Sequence, residues 1–377
     1  MGTRREYDKI LFTITLILVG CGILMVYSAS AIRAQERFGD PSYFLKRQVV
    51  WAVAGLTILI WVLGRDYREL HRWAPLLYCL SVVCLIAVLI PGVGTMVNGA
   101  RRWLRLGGLS FQPAEFAKVA LILALSRLLA RKGEQLREFR EGLVPPLVLV
   151  TVVVGLVALQ PNYGTALVVF ATAGALLFVA GTRVAHLSLM GLGLLPVAGL
   201  LLMQVPHVRA RVLAMLDPAQ VAPRFLYQAH QSELALGRGG SWGTGLGDGM
   251  QKLFYLPEPH TDFIFAIVGE ELGFAGGIGI LALFVCFLWR GIRIALTAGD
   301  PFGCYLALGI TCLIVTQAVV NVGMVVGLLP TAGLPLPLLS YGGSSLVMTL
   351  FGVGVLLSIS RCPPTYSSFL RLRGGRP

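Results

Sequence analysis

The chain has 377 residues, 56% of them hydrophobic and 13% charged, with a mean hydropathy of +0.78. That apolar share excludes a soluble globule and predicts an all-α integral membrane protein of many crossings. A net charge of +13 would suggest nucleic acid as partner of a soluble chain, but the bases cluster in short segments between apolar runs, which is a membrane-topology signal and argues for no nucleic acid.

Residues 10–29 form the first apolar run, long enough for a hydrocarbon core of about 30 Å. Ser28, Ala29, Ser30 and Ala31 mimic a signal-peptidase site, but the run is long for a cleaved leader, so a retained first helix is preferred. Further runs at 49–63, 73–90, 113–130, 143–159, 165–181, 185–205, 263–289, 302–328 and 340–360 make ten transmembrane helices in one polytopic domain, 1–377. A large loop, about 206–262, joins helices 7 and 8. With the N-terminus inside, the inner segments carry 18 of the 31 Lys and Arg and the outer ones 12, Lys118 lying within a span. This places both termini in the cytoplasm and the large loop outside.

Two stretches have no charge at all. Residues 142–182 are split only by Gln160, Pro161, Asn162, Tyr163 and Gly164, and 301–360 by the run G-L-L-P-T-A-G-L-P-L-P-L-L-S-Y-G-G-S-S at 327–345. Pro330, Pro335 and Pro337 forbid a regular helix there, yet the run is too apolar for a solvated loop. A re-entrant or closely packed segment is expected, a purely structural hairpin being the alternative. No repeat of 20 to 50 residues is visible, and the basic end 361–377 is the one biased tail.

Charge against an apolar run needs a reason, and residues 253–273, L-F-Y-L-P-E-P-H-T-D-F-I-F-A-I-V-G-E-E-L-G, place four acids and a histidine there. Pro257 and Pro259 stand outside a helix, Thr261 and Asp262 are N-cap types, and Asp262 is expected at a helix mouth. Glu270 and Glu271, two turns further in, should face protein or water, not lipid. His260 is placed to orient Asp262, and with no second histidine nearby a histidine metal cage is not expected. Seven cysteines without a C-x-x-C spacing indicate neither a disulfide framework nor a metal knot.

The run N-G-A-R-R-W-L-R-L-G-G-L-S-F-Q-P-A-E-F-A-K at 98–118 sets Arg101, Arg102 and Arg105 at the outer interface, where an anionic headgroup or pyrophosphate would lie, with Trp103 as an interfacial aromatic. Headgroup arginines and a belt aromatic are the plain alternative. Pro113 suits a first helical turn, and Glu115 and Lys118 share a helical face as an intramembrane ion pair, functional or structural. The glycine-rich stretch 237–249 lacks the G-K-[ST] of a P-loop and reads as a loop over an outer site or a linker. Gln317 and Asn321, four apart, read as interhelical hydrogen bonding.

These runs, with L-Q-P-N-Y-G-T-A at 159–166 and M-V-Y-S-A-S at 25–30, resemble the SEDS family (FtsW, RodA and SpoVE) over nearly the whole chain; N-G-A-R-R-W and G-L-L-P-T-A-G-L-P-L-P look closer to the FtsW branch than to RodA. The resemblance implies a cell-wall enzyme of the cytoplasmic (inner) membrane, a peptidoglycan glycosyltransferase that polymerises lipid II at its outer face in cell division. The implied partners are a class B penicillin-binding transpeptidase and other divisome proteins, and the implied cofactor is at most a divalent cation, Mg or Mn, with no organic group. Asp262 matches the family's essential outer-loop aspartate and is the expected general base. Arg101, Arg102, Trp103, Glu115, Lys118, Glu258, His260, Ser340 and Tyr341 are the expected substrate-binding residues. Asn162 and Ala332 stand where the family often has Asp and Lys, so no acid acts at 162 and a base at 332 is in doubt. A flippase for the same lipid, or a scaffold for a partner synthase, are the rival readings.

Overall fold

The computed structural model describes residues 6–97, 99–106, 109–216 and 223–362; Asn98 of the arginine motif and most of the basic C-terminal end fall outside them. The helices are α1 (Lys9–Phe38), α2 (Tyr43–Leu63), α3 (Glu69–Leu89), α4 (Pro113–Lys132), α5 (Val144–Ala158), α6 (Tyr163–Val179), α7 (Val184–Gln204), α8 (Pro206–Leu216), α9 (Pro223–Gly239), α10 (Ile264–Leu296), α11 (Pro301–Val325) and α12 (Gly343–Ser360). Seven of the described helices are long and apolar enough to cross a membrane. The other three runs expected to span are helical as well, as α4, which carries Glu115, Lys118 and Arg127, and as α6 and α7.

Local chemistry sets the helix ends. Asp8 caps α1 by accepting from Leu11 N at 3.0 Å, Gly39 ends it in the left-handed region, and Asp300 caps α11 through Gly303 N at 2.8 Å. Burial then separates centre from rim. The apolar windows of α11 and α12 are 72% buried and that of α3 only 22%, so α11 and α12, with the almost wholly buried α4, form the axis. Side chains such as Val83, Val285 and Trp289 are left facing outward as a lipid-compatible coat.

Three features differ from the sequence expectation. Ahead of α4 the described residues form not a plain loop but an antiparallel meander of β1 (Gly94–Val97), β2 (Ala100–Leu106) and β3 (Leu109–Phe111), with Trp103 opposite Thr95 and Arg105 opposite Ser110. The span expected at 263–289 is interrupted at Gly273 (φ +70°), which leaves Ile264 to Leu272 as a short lead-in helix. The glycine-rich stretch is neither linker nor free loop. It docks on that break, with Phe274 N donating to Gly240 O at 2.9 Å and Ala275 N to Ser241 O at 3.1 Å. A Cβ on Gly273 would stand 2.3 Å from Gly243 N, so only glycine permits the approach.

The segment 327–342 behaves as its prolines require. It is irregular, yet Leu334, Leu336, Leu338 and Leu339 are buried against the helices. Its backbone is held by side chains and by other loops, as in Tyr341 N to His260 O at 2.9 Å.

Candidate functional site

Four elements converge on Asp262. The residue sits just ahead of α10 and does not cap it: Phe263 holds the cap position and no side chain bonds the free amides. Beside it opens a cavity of about 670 Å³. Its walls come from Ala100 and Arg102 of the meander, Tyr163, Gly164 and Leu167 of α6, Val208, Arg211 and Val212 of α8, and residues 329–333 of the irregular segment. Gly333 (φ +66°) lies so near that a Cβ there would be 3.6 Å from Asp262 Oδ2. Glu258 and Gln228 complete the polar lining.

The electrostatics are uneven. Burial raises the Asp262 pKa to about 6, the Glu258 carboxylate adds to the rise, and the guanidinium groups of Arg211 and Arg102 oppose it. Burial likewise lowers the pKa of both arginines, each of which feels Asp262 as a compensating charge. Arg102 is fixed: Nε donates to Gln160 O at 3.0 Å and Nη2 to Pro161 O. Arg211 donates no hydrogen bond to any described residue, so its fork faces the cavity with donors to spare. The site therefore combines a carboxyl titrating near neutrality, two guanidinium groups and an apolar flank of Leu167, Val208, Val212 and Val320.

The remaining expected site residues are distributed differently. The pairing of β2 slips at Arg102, the extra residue between Arg101 opposite Met96 and Trp103 opposite Thr95, and this bulged residue reaches the cavity while Arg101, Trp103 and Arg105 do not line it. Glu258 does line it. His260 does not orient Asp262: it is buried beside Phe44 (ring centroids 4.4 Å apart) and Tyr341, its nearest acid is Glu258 at 3.9 Å, and burial drives its pKa down to about 4. Ser340 and Tyr341 also stay outside the cavity. Ser340 Oγ accepts from Leu336 N at 2.7 Å, and the Tyr341 ring packs edge-on to Phe44 at 5.1 Å.

Glu115 and Lys118 form the expected pair, at 2.8 Å, but buried within the helix bundle and away from the cavity. Lys118 donates its other bond to Gln317 Oε1 at 2.7 Å. Lys118 is thus engaged by Glu115 and Gln317 and does not line the cavity beside Asp262. Arg211 escaped the sequence reading because two arginines, Arg209 and Arg211, on a helix within a long loop carry no signal of which one faces a site. Asn162 is buried at the start of α6, and Ala332 lines the cavity without a charge.

Comparison with known proteins agrees with this architecture. The family model FtsW/RodA/SpoVE, described as "cell cycle protein", matches residues 8–363. The chain belongs to that family. It is 45% identical over 355 residues to a probable peptidoglycan glycosyltransferase FtsW of Trichlorobacter lovleyi, covering 94% of this chain and 93% of the relative. The stage V sporulation protein E of Bacillus subtilis is 46% identical over 355 residues, with 94% and 97% covered. Among solved structures, a chain of a peptidoglycan synthase complex that coordinates polymerization and crosslinking superposes with a TM-score of 0.79 at 34% identity, covering 94% of this chain and 98% of that one. The rod shape determining protein RodA of Thermus thermophilus gives 0.70 at 32%, covering 94% and 97%. The family's FtsW-like members are thus its nearer kin than this RodA.

Proposed function

We propose that the chain is a peptidoglycan glycosyltransferase that polymerises lipid II, with Asp262 as general base. The observation that carries the reading is a carboxyl with raised pKa, free of hydrogen-bonded partners among the described residues, at a cavity that also presents two guanidinium groups and an apolar flank. A sugar hydroxyl is a poor nucleophile. Asp262 removes its proton as the oxygen attacks the anomeric carbon of the lipid-linked donor, which assists the step by about 100- to 10,000-fold. The C–O bond to the diphosphate breaks as the new glycosidic bond forms, and one displacement inverts the anomeric centre. Charge growing on the departing polyprenyl diphosphate is met by Arg211 and Arg102, the two arginines that line the cavity. The apolar flank suits the first units of the polyprenyl chain.

No group of three His, Cys, Asp or Glu able to hold a metal occurs among the described residues, and the two cavity carboxylates share their space with two arginines. These residues do not make a resident cation cage, and no step above depends on one. A divalent ion enters this reading as a counter-ion carried by the substrate's diphosphate.

The cavity belongs to the side where the large loop folds. In the proposed orientation this is the outer face of the cytoplasmic membrane, with both termini inside, as the distribution of Lys and Arg supports. The likeness to the synthase-complex chain and to FtsW proteins supports a class B penicillin-binding transpeptidase as crosslinking partner within a division complex. Purified protein supplied with lipid II tests the activity. Glycan strands made by the parent and lost in Asp262→Asn are expected, whereas translocation of the lipid without strands would turn the reading toward a flippase. Failure to act without a second protein would turn it toward a scaffold.

A further inference from the structure

The buried Glu115–Lys118 pair lies outside the cavity, yet its hydrogen bonds lead back to it. Lys118 Nζ is 2.8 Å from Glu115 Oε1 and donates at 2.7 Å to Gln317 Oε1. The amide of Gln317 then donates through Nε2 to Pro335 O at 2.9 Å. One turn along the same face of α11, Asn321 Nδ2 donates both to Leu334 O at 2.6 Å and to Asp262 O at 2.8 Å. Residues 329–333, immediately before these clamped carbonyls, are the cavity wall that faces Asp262.

The amide orientations are forced. Lys118 has only donors to offer, so Gln317 must turn its oxygen toward it and its NH₂ toward Pro335. Asn321 uses both its protons on carbonyls, and its Oδ1 is left buried without a donor. A buried acceptor of that kind costs free energy, about 1–3 kcal/mol as a general magnitude. It persists where the two donated bonds are needed.

We infer that Gln317 and Asn321 are positioning residues, through which the Glu115–Lys118 pair sets the placement of Asp262 and of the wall opposite it without any contact with substrate. The inference rests on the reading of Asp262 as base. A carboxylate must be held to within a fraction of an ångström of its proton, and a misplacement of about 1 Å costs roughly 100-fold in rate. The polar pair inside the bundle is then the anchor of that hold.

Two near-isosteric variants test it. Gln317→Glu keeps the acceptor for Lys118 but loses the donor to Pro335, and Asn321→Asp keeps the volume but loses both donors. With reconstituted protein and lipid II, each is expected to lower kcat roughly 10- to 100-fold while KM stays within about twofold. Lys118→Met combined with Gln317→Glu should lose little more than the worse single variant, since both break one chain. Equal loss in kcat/KM through KM alone, or full additivity in the double variant, would overturn the inference. So would an unchanged kcat in Asn321→Asp. Should either variant fail to fold, the other decides alone; should both fail, the same kcat and KM measurement on Asn321→Ser decides. An active Asp262→Asn sinks the base assignment itself, whereas an inactive Asp262→Asn beside a fully active Gln317→Glu sinks only the positioning role.

Discussion

Two groups of carboxylates lie eight residues apart in one run, and the protein treats them in opposite ways. Glu270 and Glu271 are sealed. Glu270 accepts from Met250 N at 2.8 Å and from Gln251 N, and Glu271 accepts from Ser28 Oγ at 2.7 Å, from Gly247 N at 3.2 Å and from Lys252 Nζ at 2.7 Å. Asp262 has cationic neighbours but no such set of donors, and it faces a cavity. A carboxylate whose lone pairs are all occupied by the fold serves the fold, while one left short of donors beside open space is available for a ligand or a proton. The difference lies in the partners, since the residue types are nearly the same.

The largest expected effect breaks the comparison on its open side. Asp262→Asn should lower the polymerisation rate about 100- to 10,000-fold. In the parent, the base must be ionised, so the rate should climb as pH rises through about 6, where burial has placed its titration. A rate flat between pH 5 and 8, with chemistry limiting, would detach catalysis from this carboxyl.

On the sealed side, Lys252→Met removes the cation from Glu271, whose side chain is 0% exposed. Removing one partner of a buried pair costs about 3–5 kcal/mol, visible as a fall in Tm in detergent. Glu271→Leu added to Lys252→Met should recover part of that loss, because no unpaired charge remains. If Lys252→Met unfolds with the parent's Tm, the cluster is not a lock.

A smaller effect contrasts the two groups through stability. The Asp262 carboxyl titrates near 3.8 when unfolded and about 6 when folded, so between those values the folded state binds the extra proton. Stability at this site is therefore greatest at low pH and falls as pH rises through about 6. The gap between the two titrations sets a ceiling of roughly 3 kcal/mol, and partial access from the cavity reduces it to about 1–2 kcal/mol. Asp262→Asn should accordingly melt higher than the parent at pH 8, with the difference closing by pH 4. A variant that gains stability while losing activity marks a residue kept for chemistry.

How much of this was legible follows the same division. The apolar periods, the proline and glycine breaks and the pairing of Glu115 with Lys118 were readable, because each rests on spacing within one element. The docking of 237–249 on the Gly273 break was not, since it depends on glycines from two distant stretches meeting backbone to backbone. Asp262 was legible as an odd charge at a helix mouth. Its cationic neighbours were only half legible: Arg102 stood in a cluster of three within a motif, and Arg211 stood beside Arg209 on α8 with no motif around them.

That cluster yields the smallest predicted effect and the sharpest use of the comparison. Arg101 and Arg102 are adjacent in sequence and equal in charge, but the bulge in β2 brings Arg102 to the cavity and leaves Arg101 out of its lining. Arg102 is pinned there to Gln160 O and Pro161 O, whereas Arg101 pairs with Met96 and does not line the cavity. Arg102→Ala should therefore lower kcat/KM roughly 10-fold, the cost of one charged contact to a diphosphate at about 1.5–3 kcal/mol less what Arg211 still supplies. Arg101→Ala should stay within about twofold. Equal losses in both variants would mean that charge at the interface matters and its direction does not, which would dissolve the distinction between a built site and a merely basic surface.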